Sequence, residues 1–313
     1  MEIIRTVAEF AAALARLPQP AKNHTRFFRG HPQYKKNKIL PRIYRNDGDI
    51  QNEENFIREA IIRCPADFSG LSFFEKLVKL QHYGLPTRLL DLTSNALVAL
   101  YFACKDNEKT KGEVIVFDIP NECVKYYDSD TVLVIANIAR RKNQFDLSEL
   151  PQDKEGFNAA DEINRLVYDI QEDKPAFRPL IEPKDLKCVV AVRAKLDNAR
   201  IARQDGAFLL FGINGKKSKM ATIPDKWIVC GNDEQRIVFS SKHALKRGLR
   251  SFGISDQFLF PEVDSQTNAI VGPFSGKGID APRQRVPFDA AMEWRARPAD
   301  QVRDARRPII PPC

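Results

Sequence analysis

Gln81-His82-Tyr83-Gly84-Leu85-Pro86-Thr87-Arg88-Leu89-Leu90-Asp91-Leu92-Thr93-Ser94-Asn95 is the densest polar constellation in the chain. It lies between two apolar helical patterns. Before it, Phe73–His82 repeats apolar residues at three-to-four spacing, the mark of a helix with one buried face. After it, Leu97, Leu100, Tyr101 and Cys104 share one face of a helix expected from about Ser94 to Lys105. Its expected N-cap is Thr93 or Ser94, whose hydroxyl can accept a bond from an orphan first-turn amide. Polar groups enclosed by two apolar helices need partners, so this turn either caps helices or lines a cleft.

Working outward, Thr6–Leu17, Glu53–Cys64, Thr131–Ala139, Asp161–Ile170 and Lys242–Phe252 read as further helices. Thr25–Arg29 reads as a short strand entering a turn at Gly30-His31-Pro32. Val114, Ile115, Val116 and Phe117 mark Gly112–Ile119 as a buried strand. Lys187–Arg193, Ala207–Gly212, Trp227–Cys230 and Arg236–Ser240 are the remaining expected strands. No repeat is visible, and the mixture implies an α+β fold.

The 313 residues carry 49 Lys and Arg against 41 Asp and Glu, a formal charge of +8, with 43% hydrophobic residues. That excludes disorder for most of the chain. No apolar run approaches the ~18 residues of a membrane span, so a cytoplasmic, unexported protein without membrane contact is expected. The six cysteines show no CxxC and no nearby His pair, which argues against a disulfide framework and a zinc site. Residues 1–264 are expected to form one domain. Residues 265–313 hold seven of the 20 prolines and eight Lys or Arg against five acids, and read as an extended or disordered tail.

Walker, GxGxxG, HExxH and GxSxG motifs are missing. Phe28-Arg29-Gly30, Leu40-Pro41-Arg42, the run Gln81–Asp91 with Thr93, and Ala99-Leu100-Tyr101-Phe102-Ala103 together resemble the bacterial and phage FRG domain. The resemblance continues through Gln204-Asp205-Gly206-Ala207-Phe208 to Leu259-Phe260-Pro261-Glu262, with Leu92 where the family usually has Trp. The order of Phe28-Arg29-Gly30, Thr93-Ser94 and Gln204 is also distantly similar to arginine-type ADP-ribosyltransferases. That likeness implies a cleft between two small, mostly antiparallel sheets, with NAD as substrate.

On that likeness, Arg29 pairs with an NAD phosphate, with Gly30 beside it in the same motif, while Thr93 and Ser94 shape the pocket beneath nicotinamide and its ribose. Gln204 stands where the transferases have a glutamate. A neutral amide cannot stabilise developing positive charge as a carboxylate does, so Asp91 or His82 is the alternative catalytic group. Tyr83 and Arg88 are further ligand-binding candidates. The structural alternatives are that Asp91 pairs with Arg88 or Arg42, that His82 caps its helix, and that Arg29 meets an internal carboxylate. The resemblance implies an effector of the toxin or phage-defence type, modifying a nucleic acid or protein and restrained by a neutralising partner protein. The alternative is a non-catalytic module that binds a nucleotide or single-stranded nucleic acid.

Overall fold

Continuous apolar runs need cover on both faces, and Val114–Phe117 and Phe208–Phe211 find it as interior strands of one sheet. A computed structural model describes residues 3–34, 39–106, 109–229, 236–262 and 266–267. The chain divides into two units, Met1–Ser265 and Gln266–Cys313. The expected tail lies, apart from Gln266 and Thr267, outside the described residues.

The strands are β1 (Ile3–Ile4), β2 (His24–His31), β3 (Leu89–Thr93), β4 (Gly112–Pro120), β5 (Val124–Tyr126), β6 (Val189–Arg193), β7 (Gly206–Phe211), β8 (Ile213–Asn214), β9 (Lys216–Met220) and β10 (Ile237–Phe239). Eight of them form a sheet in the order β1-β10-β4-β2-β3-β7-β6-β5, while β8 and β9 make a separate hairpin. Among the described residues only the β1/β10 and β5/β6 pairs are parallel. The fold is therefore α+β, but one large sheet replaces the two small ones expected. Its halves meet at a narrow seam. β2 pairs with β4 along its whole length, from His24 opposite Pro120 to His31 opposite Glu113, yet meets β3 at the single pair Phe28 and Thr93.

The helices used below are α1 (Val7–Ala15), α2 (Glu53–Arg63), α3 (Phe73–His82), α4 (Ala96–Cys104), α5 (Asp130–Asn137), α6 (Asp161–Asp173), α7 (Ala199–Arg203), α8 (Lys242–Arg250) and α9 (Asp256–Leu259). Two apolar clusters cover one face of the sheet. In the first, Phe74 and Leu77 of α3, Ile135 of α5 and Ile163 of α6 pack on Leu89, Val190 and Leu210. In the second, Phe10 of α1, Ala99 and Leu100 of α4 and Leu245 of α8 pack on Phe28, Val116 and Phe239. The opposite face, with Phe27, Leu92, Phe117 and Leu209, is covered by Ala221, Ile223 and Trp227.

Local chemistry sets the ends of the two helices that flank the polar turn. A reciprocal capping box between Ser72 and Glu75 starts α3. The N-cap of α4 is Asn95, neither Thr93 nor Ser94: its Oδ1 accepts from the Leu97 amide at 3.0 Å, while the Thr93 hydroxyl accepts from the Asn95 amide at 3.0 Å. The helix is apolar all round because it lies buried against β2 and β4. Gly30 lets that happen, since a Cβ there would stand 2.0 Å from the Ala99 carbonyl oxygen and 2.7 Å from the Ala103 nitrogen.

Two strand expectations fail. Gly30 and His31 continue β2 instead of turning, because β4 supplies partners through Glu113. After Pro224, residues Asp225–Trp227 form a 3-10 turn, and Ile228 makes an isolated bridge to Phe117 in place of a strand; Cys230 lies outside the described residues. Cys64, Cys104, Cys123 and Cys188 are free thiols. Burial pushes the thiols of Cys104 up to about 12 and Cys188 up to about 11, as expected of inert packing groups. Among the described residues no helix is long and apolar enough to cross a membrane.

Candidate functional site

Where β2 and β3 part at the seam, the Arg29 side chain has only 14% of its surface exposed. Its Nη1 donates to the Asp91 carbonyl oxygen at 2.5 Å, its Nε donates to His31 Nε2 at 3.2 Å, and the Asp91 carboxylate stands 3.9 Å away. Burial lowers its guanidinium to about 10; Asp91 opposes that drop and the like charge of Arg45 adds to it. It remains a cation at neutral pH. The internal carboxylate foreseen for it is Asp91, an incomplete partner because Asp91 is 67% exposed.

Asp91 is the one charged residue of β3, and it surfaces between the two helical clusters. Gln81, in the last turn of α3, donates its amide Nε2 to Asp91 Oδ1 at 2.7 Å. The Thr87 hydroxyl in turn donates to Gln81 Oε1 at 2.5 Å, fixing which way the amide points. Arg42 and Arg45 flank a 3-10 turn after Pro41, and both are exposed. Arg42 Nη1 donates to the Gly84 carbonyl at 2.7 Å, which binds this segment to the α3–β3 turn. Burial lowers Arg45, the neighbouring Arg42 lowers it further, and Asp91 opposes both. Arg45 thus acts on Arg29 and is itself acted on by Arg42, and Asp91 is the carboxylate that Arg29 and Arg45 share. Excess positive charge beside open water is the electrostatics of an anion site.

Other expected residues belong elsewhere. Arg88 is fully buried, its Nε and Nη2 bound to Glu53 at 3.0 and 2.5 Å and its Nη1 to the Phe211 carbonyl at 3.1 Å. Lys217 also reaches Glu53, at 3.3 Å. Burial alone would raise the Glu53 carboxyl, but Arg88 and Lys217 hold it below its ordinary value. Arg88 is therefore a core residue, and its expected place at a ligand is withdrawn. Gly30 faces α4 for packing.

Gln204 is the C-cap of α7, and Asp205 after it takes a left-handed φ of 45°, so the chain turns here just before β7. The Gln204 carbonyl accepts from the Thr93 hydroxyl at 2.7 Å, while its side-chain amide donates to the Leu259 carbonyl at 2.9 Å. Thr93 is buried, and the Ser94 amide donates to the Asp205 carbonyl at 3.0 Å. Thr93, Ser94 and Gln204 do converge, as a latch between two turns closed by backbone bonds. His82 is engaged through both ring nitrogens, by Asn198 at 3.2 Å and Glu262 at 3.1 Å. Burial and then Arg200 lower its affinity for a proton, against the pull of Glu262. Tyr83 is exposed, its ring 5.1 Å from that of His82.

The sequence reading missed Arg45, His31, Glu113 and Arg236. His31 is buried, Glu113 Oε1 stands 3.4 Å from its Nδ1, and Arg236 binds Glu113 at 2.9 Å. The alternation Phe27, Arg29, His31 was the available signal: three residues of one strand face, two of them polar, imply partners on that face.

A family model described as FRG domain matches residues 24–112, the span that carries Arg29, Arg42, Arg45, Gln81 and Asp91. No curated protein and no solved structure matches the chain.

Proposed function

With an FRG domain present at residues 24–112, we propose that the chain is an NAD-consuming, ADP-ribosyltransferase-like effector of the toxin or phage-defence type, acting on a nucleic acid or protein. The observation that carries this reading is the largely buried Arg29 set against the exposed carboxylate of Asp91, with the charge of Arg45 acting on Arg29 and Arg42 in turn acting on Arg45. The donor chemistry fits a diphosphate. Guanidinium forks bind phosphate oxygens in pairs, and a ligand anion gives the largely buried Arg29 the full counter-charge that a mostly solvated Asp91 does not.

In this reading Arg29 and Arg45 orient the diphosphate, with Arg42 at the open side. Asp91, held by Gln81, is the carboxylate that stabilises positive charge at the ribose as its bond to nicotinamide breaks and the electron pair leaves with nicotinamide. The acceptor then forms the new bond to ribose and releases its proton to solvent. Gln204 has no part in this step, because Leu259 holds its amide. The same observation favours a second reading, a non-catalytic nucleotide- or nucleic-acid-binding module, in which no transferase carboxylate is needed at position 204.

Incubation with NAD labelled in the adenylate half, together with total cellular RNA, DNA and protein, separates the two. The enzyme reading requires nicotinamide release and label transfer, both abolished by Arg29→Ala. Intact NAD with salt-sensitive binding of ADP-ribose supports the module instead. Absence of both binding and turnover refutes the site.

A further inference from the structure

Arg29 can only donate hydrogen bonds, so the ring nitrogen it reaches at 3.2 Å must carry a lone pair. That nitrogen is His31 Nε2, which leaves the single proton of the neutral ring on Nδ1, the atom facing Glu113. His31 is 1% exposed. Resting on the anion-site reading above, we propose that His31 is a positioning residue, held as its Nδ1–H tautomer by Glu113, that sets the angle of the Arg29 fork for the ligand phosphate.

The surroundings agree on a neutral ring. Facing it are Arg29 from its own strand, Glu113 from β4 and Arg45 from the segment after Pro41. Behind these stand Arg236 on Glu113 and Asp91 on Arg29. Burial disfavours the protonated form; Glu113 favours it, and the like charges of Arg29 and Arg45 disfavour it. The order Arg236, Glu113, His31, Arg29 is a chain of oriented groups ending at the anion site. It resembles in logic the outer-shell carboxylates that fix histidine ligands at metals, with a guanidinium in the place of the metal.

The experiment uses the full chain and two independent readouts. Nitrogen-15 NMR of the imidazole should show the proton on Nδ1 and titration below the ordinary histidine range, moving upward in Arg29→Ala because a neighbouring cation is removed. ADP-ribose is the binding probe, since its diphosphate has no ionisation near neutral pH to confuse the result. At pH 7.5 His31→Leu, which removes the acceptor without changing charge, should weaken binding by about 10- to 100-fold, the range of hydrogen bonds to charged groups. His31→Gln keeps an acceptor and should stay within about threefold of wild type. A proton on Nε2 overturns the proposal, as does a folded His31→Leu protein that binds like wild type. If wild type binds no ADP-ribose, the anion-site reading fails, and the tautomer and its response to Arg29→Ala still decide whether His31 positions Arg29.

Discussion

Replacing Gly30 by alanine tests whether the last residue of the Phe28-Arg29-Gly30 motif serves packing or ligand approach. The new Cβ would lie 2.0 Å from the Ala99 oxygen and 2.7 Å from the Ala103 nitrogen, both helix backbone atoms that no rotamer change can move. Restoring ordinary contact near 3.4 Å means parting β2 from α4 by roughly 1.4 Å, in the middle of a cluster that includes Phe28, Val98, Leu100 and Val116. Overpacking of a core typically costs about 1–3 kcal/mol, and backbone on both sides puts this site at about 3 kcal/mol or more. For a folded unit of this size that lowers Tm by roughly 6–12 °C. Urea and thermal unfolding followed by far-UV circular dichroism measure it, with Gly48→Ala as control. A Cβ at Gly48 meets nothing within 4 Å and should raise stability by about 0.4–1 kcal/mol. A Gly30→Ala protein melting within about 1 °C of wild type would refute the packing argument.

Glu53→Gln should cost about 3–5 kcal/mol in urea titrations, because Arg88 and Lys217 would keep their charges in the core without a carboxylate. Since the folded Glu53 carboxyl lies below its unfolded value, its contribution is present above the unfolded pKa and is lost as pH falls through the folded one. The variant should therefore lose that part of the acid dependence. Gln204→Glu should destabilise the fold by about 1 kcal/mol by removing the donor to the Leu259 carbonyl, and nicotinamide release should not increase. Asp91→Asn keeps an acceptor for Gln81 but removes the charge facing Arg29. ADP-ribose should then bind up to about fivefold tighter, while label transfer falls by about 10²-fold or more; equal loss of both would reject the assigned role.

Local pattern carried the helices furthest. Phe73–His82 keeps its expected bounds because its apolar spacing and the Ser72 cap agree. Trp227–Cys230 reads as a strand from its apolar residues alone, but after Pro224 residues Asp225–Trp227 close a 3-10 turn, and Ile228 and Val229 meet the Gly112–Pro120 strand through a bridge to Phe117 and a bond to the Val116 carbonyl. Gly30 looked like a chain reversal because glycine usually signals one; its actual cause, a helix backbone pressed against the strand, is a tertiary contact that no local window contains. Arg29 is legible as a charge beside Phe27 and Phe28 on an expected strand, whereas Asp91 is legible only as part of the polar Gln81–Asn95 turn, within which Leu89–Thr93 proves to be a strand. Arg88 belongs to the same turn and proves to be core, since its partner Glu53 lies on a separate helix. Gln204 stands just ahead of the expected strand Ala207–Gly212, and the short helix that it caps, ended by the left-handed Asp205, is not visible in that pattern.

The strand order has a consequence for synthesis. β2 can find β4 once residue 120 has emerged, but the neighbour of β3 on its other side, β7, ends at residue 211. At translation rates of about 5–20 residues per second, Leu89–Thr93 therefore spends about 6–24 s with an unpaired edge. Leu-Leu-Asp-Leu-Thr is apolar enough to adhere to another nascent chain, and Asp91 is the one charge that interrupts it. The carboxylate that faces Arg29 in the finished protein thus guards the same strand while the protein is being made, so neutralising it should lower the soluble yield before it alters any property of the folded molecule.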